Sequence, residues 1–157
     1  MQKIGSRAFS DCPSLESITI PSSVVEIGND AFSSCSKLRE LEFNGGLQKI
    51  GRAAFYNCKS LSSVSFPSTV TEIGCHAFME CKSLRDVVLS EGLQKINQHS
   101  FCGCKSLQSI TIPSTVDEVG NLAFSYCTNL RDVVFNNGIK KIGQSAFQGC
   151  SSLERIT

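Results

Sequence analysis

Apolar residues recur every 23 residues along the whole chain. The repeating unit reads L-x-x-I-x-I-P-x-x-V-x-x-I-G-x-x-A-F-x-x-C, and its leucine, cysteine and phenylalanine columns are unbroken. The last two contain Cys12, Cys35, Cys58, Cys81, Cys104, Cys127 and Cys150, and Phe9, Phe32, Phe55, Phe78, Phe101, Phe124 and Phe147. A fixed period of this length predicts a solenoid, in which each coil buries its apolar face against its neighbours.

The first part of each repeat alternates between apolar and polar residues. In the first copy, L-E-S-I-T-I, the residues Leu15, Ile18 and Ile20 are expected to point inward. The proline that follows them lacks an N–H group and ends the strand. We therefore predict a parallel sheet with one such strand per coil, whose outward side chains, beginning with Ser17 and Thr19, form a concave surface.

The second part of each repeat has its apolar residues at helical spacing. Ala31, Phe32, Cys35 and Leu38 lie one, four and seven positions apart, which predicts a convex wall of short helical turns. The position before this segment is glycine in six of the seven repeats, and we call it the glycine column: Gly5, Gly28, Gly51, Gly74, Gly120 and Gly143. We expect a positive φ there because the backbone must change direction.

A second period of 46 residues is superimposed on the first. Turns with Pro21, Pro67 and Pro113 alternate with turns containing Gly46, Gly92 and Gly138. The same alternation gives a charge column of Lys3, Glu26, Lys49, Glu72, Lys95, Glu118 and Lys141. Stacked coils lie about 4.8 Å apart, so each charge faces an opposite one. Exposed pairs contribute only about 0–1 kcal/mol each, so we interpret this column as a register device.

The motif I-G-x-x-A-F-x-x-C-x-x-L recurs seven times with small changes, such as Asn97 and Ser100 in the fifth copy. This chain resembles the leucine-rich repeats of the bacterial-surface-antigen and treponemal (BspA-like) type, which are also common in protists. The resemblance implies an α/β repeat solenoid, a right-handed leucine-rich-repeat coil of about seven repeats with a concave parallel sheet and a convex wall of short helical turns. It also implies a protein-interaction role.

We predict that residues 1–157 form a single leucine-rich-repeat domain without evident capping repeats. The chain has 157 residues and is 41% hydrophobic, which suffices for a continuous core. It enters the repeat at Ile4 and ends inside a strand at Ile156. We expect exposed apolar columns at both ends, and with them end-to-end association or membership of a longer array or assembly.

Composition argues against nucleic-acid and membrane partners and bears on the cellular location of the protein. A net charge of +1 gives no field for a nucleic-acid backbone, and no apolar run is long enough for a transmembrane segment. Of nine cysteines, seven occupy the apolar column, where we expect free thiols. This column of thiols, which we call the cysteine ladder, and the absence of a signal peptide favour an intracellular location. Proteins of the BspA-like family, however, have the same cysteine on bacterial surfaces.

We find no constellation of residues that points to catalysis. Ladder thiols are expected to be buried with raised pKa values, and we expect the arginines that precede Glu40, Asp86 and Asp132 to neutralise those acids. The sequence has no phosphate loop and no G-x-S-x-G motif. The prediction is a non-enzymatic protein–protein interaction or scaffold module, part of a larger protein or assembly. The alternatives are a surface adhesion repeat that binds host or matrix proteins and, less favoured, an enzyme.

Two candidate protein-binding surfaces follow from the repeat. The concave columns read Ser17, Glu40, Ser63, Asp86, Ser109, Asp132 and Thr19, Glu42, Ser65, Val88, Thr111, Val134, with Arg39, Arg85 and Arg131 beside the acids. The convex side carries Tyr56, Met79, Cys102, Leu122 and Tyr126 next to Lys59, Lys82 and Lys105. Tyr and Met are enriched at interfaces, but scattered surface apolar residues are also normal, so solvated surfaces are the alternative in both cases.

Four residues suggest a metal site. The two histidines, His76 and His99, share a column in adjacent coils, and the two cysteines outside the ladder, Cys75 and Cys102, lie beside them. Two sulfur and two imidazole ligands suit tetrahedral Zn²⁺, which would link the fourth coil to the fifth. A chance cluster without metal, with Cys75 turned inward, is the other interpretation. No other cofactor is expected.

Overall fold

Residues 2–157 are described by a computed structural model, in which they form a solenoid of about seven coils. There are fourteen strands, β1–β14 in chain order, two in each coil, and the paired strands are parallel. The predicted solenoid is therefore confirmed. Residues 2–157 contain no helix, and so none that is long and apolar enough to cross a membrane.

The even-numbered strands are the predicted L-x-x-I-x-I strands. They are β2 (Ser17–Ile20), β4 (Glu40–Phe43), β6 (Ser63–Ser65), β8 (Asp86–Val88), β10 (Ser109–Ile112), β12 (Asp132–Phe135) and β14 (Arg155–Ile156). Their pairing is divided into β2-β4, β6-β8 and β10-β12-β14 instead of one sheet. Asn44 and Asn136 donate their N–H groups to the preceding coil. Pro67 and Pro113 occupy the equivalent position at the two breaks and have no N–H group to donate.

The odd-numbered strands form one continuous seven-stranded sheet along the solenoid. They are β1 (Gln2–Ile4), β3 (Val24–Ile27), β5 (Lys49–Ile50), β7 (Glu72–Ile73), β9 (Lys95–Ile96), β11 (Glu118–Val119) and β13 (Lys141–Ile142). Val24 and Ile27, the apolar residues of the V-x-x-I part of the repeat, are both buried. Their sheet was not predicted from sequence, because most of these strands have two residues and show no alternation.

The predicted helical wall is wrong. The segments after the glycine column are successive turns, in which Ser33 donates to Asp30 within the coil while Phe32 donates to the Ala54 carbonyl of the next coil, at 2.7 Å. Two residues per coil, four positions apart, have a positive φ, as Asp30 and Ser34 do. Residues in this left-handed region interrupt a helix, and the N–H groups that a helix would use internally bond between coils.

The glycine column packs differently from our expectation. Gly28 does not have a positive φ. A Cβ atom there would lie 2.6 Å from the backbone nitrogen of Ser6 in the preceding coil. Glycine is therefore required because the coils approach closely at this corner, not because the backbone is left-handed.

The core contains the predicted columns. Adjacent rings of the phenylalanine column are stacked, with centroids 5.1–5.4 Å apart and interplanar angles of 2–13°. The nine cysteines are free, as predicted for the ladder. Ladder thiols donate to a phenylalanine carbonyl of the preceding coil, for example Cys58 to Phe32 at 3.2 Å and Cys81 to Phe55 at 3.2 Å. The column therefore combines apolar packing with a hydrogen bond between coils.

The alternation of coils is confirmed and has a steric cause. Gly46 has a φ of +126°, and a Cβ atom there would collide with the carbonyl oxygen of Ser22 in the proline turn before it. Its N–H group donates to the Thr69 hydroxyl in the proline turn after it, at 3.4 Å. Gly92 repeats both contacts, with Ser68 and Thr115. The Gly46 and Gly92 turns therefore each lie between two proline turns.

The charge column follows the predicted register. Strand pairing places Lys3 opposite Glu26, Glu26 opposite Lys49, and so on to Lys141. Glu118 forms ion pairs with Lys95 at 3.1 Å and with Lys141 at 2.9 Å. These contacts lower the pKa of Glu118, chiefly through the hydrogen bond from Lys141.

Apolar side chains are exposed in the first and last coils. Phe9 is 41% exposed, Ile142 is 50% exposed and Ile156 is 59% exposed. Exposure of this kind was expected, whereas the end-to-end association expected with it stays a prediction.

Candidate functional site

The outward side chains of the even-numbered strands form a flat surface that we call the even-strand face. Its columns have the predicted register, for example Ser63 opposite Asp86 and Ser65 opposite Val88. Most of its side chains are polar, but Val88 is 55% exposed and Val134 is 37% exposed. The face therefore has two apolar positions on a polar and acidic background.

The predicted neutralisation of the acids by their preceding arginines does not take the form of ion pairs. Among residues 2–157 no ion pair within 4.0 Å joins Arg39 to Glu40, Arg85 to Asp86 or Arg131 to Asp132. Asp132 instead pairs with Arg155 of the next coil at 2.5 Å, and this hydrogen bond lowers its pKa. Adjacency in sequence did not predict the pairing, because the stacked position in the next coil offers the closer partner.

Glu40, Glu42 and Asp86 form no ion pair within residues 2–157. All three are exposed. Glu42 accepts a hydrogen bond from the Thr19 hydroxyl at 3.2 Å, and neither Glu40 nor Asp86 has a side-chain partner among residues 2–157. These carboxylates are therefore available to groups from outside the chain.

A surface depression of about 430 Å³ lies where the chain enters the even-numbered strands. It is lined by Arg39, Ser60, Ser62, Ser83, Arg85 and Ser106. Both arginines were predicted from sequence as part of the concave surface, whereas the serines were not. The spacing contained the signal, because Ser60, Ser83 and Ser106 recur at the repeat period, two positions before the arginine column.

The turns that follow the glycine column form the side predicted to be the convex helical wall, which we call the turn surface. Its predicted contact residues differ in their exposure. Tyr126 is 51% exposed, whereas Tyr56, Met79 and Leu122 are half-buried and Cys102 is buried. The expectation that Cys102 is exposed is therefore wrong. Tyr56 borders a depression of about 310 Å³ above Ala53, the smallest side chain of its column. In the lysine column, Lys82 forms an ion pair with Glu80 at 3.3 Å.

The four residues of the hypothetical zinc site are only partly brought together. The rings of His76 and His99 stack with centroids 4.8 Å apart, and the Nδ1 atoms of both are buried without a hydrogen-bond partner. Cys102 accepts a hydrogen bond from the Ser125 hydroxyl at 3.2 Å, and Cys75 is half-exposed. Within residues 2–157 no three His, Cys, Asp or Glu side chains are grouped to hold a metal ion. The zinc hypothesis stays a prediction, which elemental analysis of protein purified without added metal would check.

The stacked parallel coils, the buried leucine columns and the open polar faces define a leucine-rich-repeat solenoid. The model of the BspA type leucine rich repeat region matches six copies over residues 2–130 and 71–157. The chain belongs to this family. No curated protein matches it.

Solved structures give the same fold. A leucine-rich repeat protein from T. pallidum superimposes with a TM-score of 0.91 at 35% identity, over 96% of this chain and 71% of that chain. The pneumococcal vaccine antigen PcpA gives a TM-score of 0.62 at 22% identity, over 99% of this chain and 55% of that one. A leucine-rich repeat protein from Eubacterium ventriosum gives 0.60 at 19% identity, over 99% and 63%. The last two similarities concern the fold alone.

Proposed function

We propose that this chain is a non-enzymatic protein-interaction module whose contact surface is the even-strand face. Membership of a leucine-rich-repeat family supports an interaction role at the level of the class. The exposed valines, Val88 and Val134, are the observation that carries the assignment to this face. Their column holds Thr, Ser or Glu in other coils, and apolar area removed from water by a partner stabilises a complex.

The charges suggest the chemistry of the partner. Asp86 lies two residues before Val88 on β8, and Glu40 and Glu42 lie on β4, two coils before it. Asp132 contributes less negative charge because it pairs with Arg155. A partner that presents basic side chains around a small apolar contact would be complementary. Complementary charge raises the association rate and fixes orientation more than it raises affinity.

The turn surface is proposed as a second contact. Tyr126 is its most exposed aromatic residue, and Tyr56 and Met79 lie in the coils between it and the N-terminal end. Two contact surfaces on one rigid solenoid would suit a scaffold within a larger assembly. The adhesion alternative assigns the same faces to host or matrix proteins.

The repeat supplies substitutions for a test of the even-strand face. We would compare the intact chain with Val88→Ser/Val134→Ser and with Glu40→Ser/Asp86→Ser, because serine occupies both columns in other coils, at Ser65 and at Ser63. Partners captured from the native source would be quantified by mass spectrometry. Both variants should lower capture of the same protein, the valine pair by about tenfold.

The matched control changes the turn surface instead. Tyr56→Ser/Tyr126→Ser should lower capture only of partners that bind the turn surface. A partner that is lost in both even-strand variants and retained in this one is therefore assigned to the even-strand face. Unchanged capture by both even-strand variants, with urea midpoints like that of the intact chain, would refute the assignment. A matrix protein as the captured partner would favour adhesion.

A further inference from the structure

The depression between Arg39 and Arg85 has the chemistry of an anion site. Its lining residues are two arginines and four serines, without an acidic, apolar or aromatic residue. Guanidinium groups bind sulfate and phosphate oxygens through paired N–H donors, and hydroxyl groups supply further donors. A negatively charged oxygen ligand therefore fits this depression better than an apolar side chain or a nucleobase.

Five of the six lining side chains have no hydrogen-bond or ion-pair partner within residues 2–157. Arg39 and Arg85 form no ion pair, although each is followed in sequence by an acid. Of the four serine hydroxyls only that of Ser60 is engaged, with the Ser36 carbonyl at 2.7 Å. An incoming anion would therefore not have to displace an internal partner.

The backbone around the depression is fixed by hydrogen bonds between coils. Ser83 donates its N–H group to the Lys59 carbonyl at 3.2 Å, and Ser106 donates to the Lys82 carbonyl at 3.2 Å. Arg85 donates its N–H group to the Ser62 carbonyl at 2.8 Å. The lining residues are thus held in register by the solenoid, which limits the entropy lost when a ligand binds.

Positive charge continues beyond the depression. Lys37, Lys59 and Lys105 flank it in the second, third and fifth coils and form no ion pair within residues 2–157. In the fourth coil Lys82 is engaged by Glu80. Lys59, Lys82 and Lys105 share one column and therefore form a row of cations about 4.8 Å apart from coil to coil, while the two arginines, two coils apart, are separated by about 10 Å.

The acidic residues near these cations weaken their long-range attraction for anions. Glu40 and Asp86 lie beside the arginines in sequence, and Glu16 precedes them in the arginine column. They reduce the long-range field, so the site depends on close contacts more than on net charge. A ligand with an anionic group at intervals along an extended polar chain would reach the cations in turn and could bond the serine hydroxyls with its own hydroxyls.

We propose that this depression binds the sulfate esters of a linear sulfated polysaccharide, with Arg39 and Arg85 as the principal anchors. The absence of apolar and aromatic side chains from the lining favours a sugar chain over a phosphorylated peptide or a single-stranded nucleic acid. This site is separate from the protein contact proposed above, and either can fail without the other.

The test measures binding of a sulfated hexasaccharide by titration calorimetry at fixed salt. Arg39→Ser/Arg85→Ser introduces the residue that Ser62 already places in this column. Each guanidinium contributes charged hydrogen bonds, so the affinity should fall by about tenfold or more. The control, Arg7→Ser/Arg52→Ser, removes the same charge from the turn surface with residues found at Ser145 and Ser6 of those columns, and its affinity should stay within about twofold.

Three other ligands test whether the depression is specific for a sulfated sugar chain. The unsulfated hexasaccharide and inorganic sulfate should bind more weakly than the sulfated chain, and a phosphoserine peptide should not exceed it. Undetectable binding of the sulfated hexasaccharide would overturn the proposal, as would an equal loss in both double variants or tighter binding of the phosphopeptide. Urea midpoints of both variants close to that of the intact chain would exclude misfolding as the cause.

Discussion

At the scale of single residues, the cysteine ladder is a structural device. Burial raises the pKa of the Cys81 thiol to about 12 and also raises the pKa values of Cys58, Cys104 and Cys127. A thiol that stays protonated can donate to the phenylalanine carbonyl beside it, and it is a poor nucleophile. The same burial that makes the column suitable for the core therefore excludes it from cysteine catalysis.

The thiols should react according to burial. In the folded protein, iodoacetamide should modify the half-exposed Cys12, Cys75 and Cys150 before the six buried cysteines. Peptide mass spectrometry after a timed quench would assign the modified positions. All nine should react in denaturant. Rapid labelling of Cys58 or Cys81 in the folded state would contradict this account.

The histidine pair should make stability sensitive to acid. The pKa of His76 is lowered from its ordinary value of 6.5, first by burial and then by the charges of His99 and Arg52. Above 6.5 the ring is neutral in both folded and unfolded chains, and stability is unaffected. As the pH falls from 6.5 through the lower folded-state pKa, the unfolded chain takes up the proton more readily, so the free energy of unfolding decreases.

Two variants isolate this effect. His76→Asn should flatten the loss of stability in urea unfolding below pH 6.5, because asparagine tolerates the left-handed backbone at this position and does not titrate. His99→Asn removes a repelling neighbour, so the pKa of His76, followed by NMR, should rise. An unchanged pH profile in His76→Asn would show that the acids alone cause the loss.

At the scale of elements, hydrophobic spacing located the buried residues but not the backbone conformation. Ala31, Phe32 and Cys35 are buried as the helical stripe predicted. Successive turns can place the same positions inward, and the choice is decided by N–H groups such as that of Phe32, which bond to the following coil. That partner is distant in sequence, so a local pattern of apolar residues cannot reveal it.

The phenylalanine stack should contribute more in its interior than at its end. Phe78 stacks on Phe55 and Phe101 at 5.1 and 5.4 Å, whereas Phe9 stacks on Phe32 alone and is 41% exposed. Phe78→Leu should lower the free energy of unfolding by about 2 kcal/mol, through lost ring contacts and a partly filled space. Phe9→Leu is the control and should cost less than about 1 kcal/mol. Equal costs in urea unfolding would argue against the stack as a source of stability.

At the scale of the whole molecule, periodicity predicted more than composition did. The coil count, the buried columns and the alternation of charge followed from the period, because every coil repeats the same contacts with its neighbours. The contacts of individual surface residues did not follow. Asp132 pairs with Arg155 and not with Arg131, and Ser62 borders a depression. The repeat places several possible partners near each surface side chain, so the period alone does not determine which contact forms.

The 46-residue period predicts how internal deletions affect the stability of the solenoid. Removal of residues 47–92 takes out 46 residues, joins Gly46 to Leu93 and leaves Glu26 and Lys95 in the neighbouring coils that Glu26 and Lys49 occupy now. Proline turns would still alternate with glycine turns. We expect this shorter chain to unfold cooperatively in urea, with an m-value reduced in proportion to the surface it buries.

Removal of residues 47–69 takes out one coil and breaks the alternation. Glu26 would then face Glu72, and the Gly46 turn would meet the Gly92 turn without the Thr69 hydroxyl that now accepts its N–H group. Like charges in register and an unmatched turn should lower the urea midpoint below that of the shorter 46-residue deletion, although the chain is one coil longer. High salt should recover only the part of the loss that arises from charge. A midpoint above that of the 46-residue deletion would mean that single coils are interchangeable and that the alternation of turns and charges does not set the register.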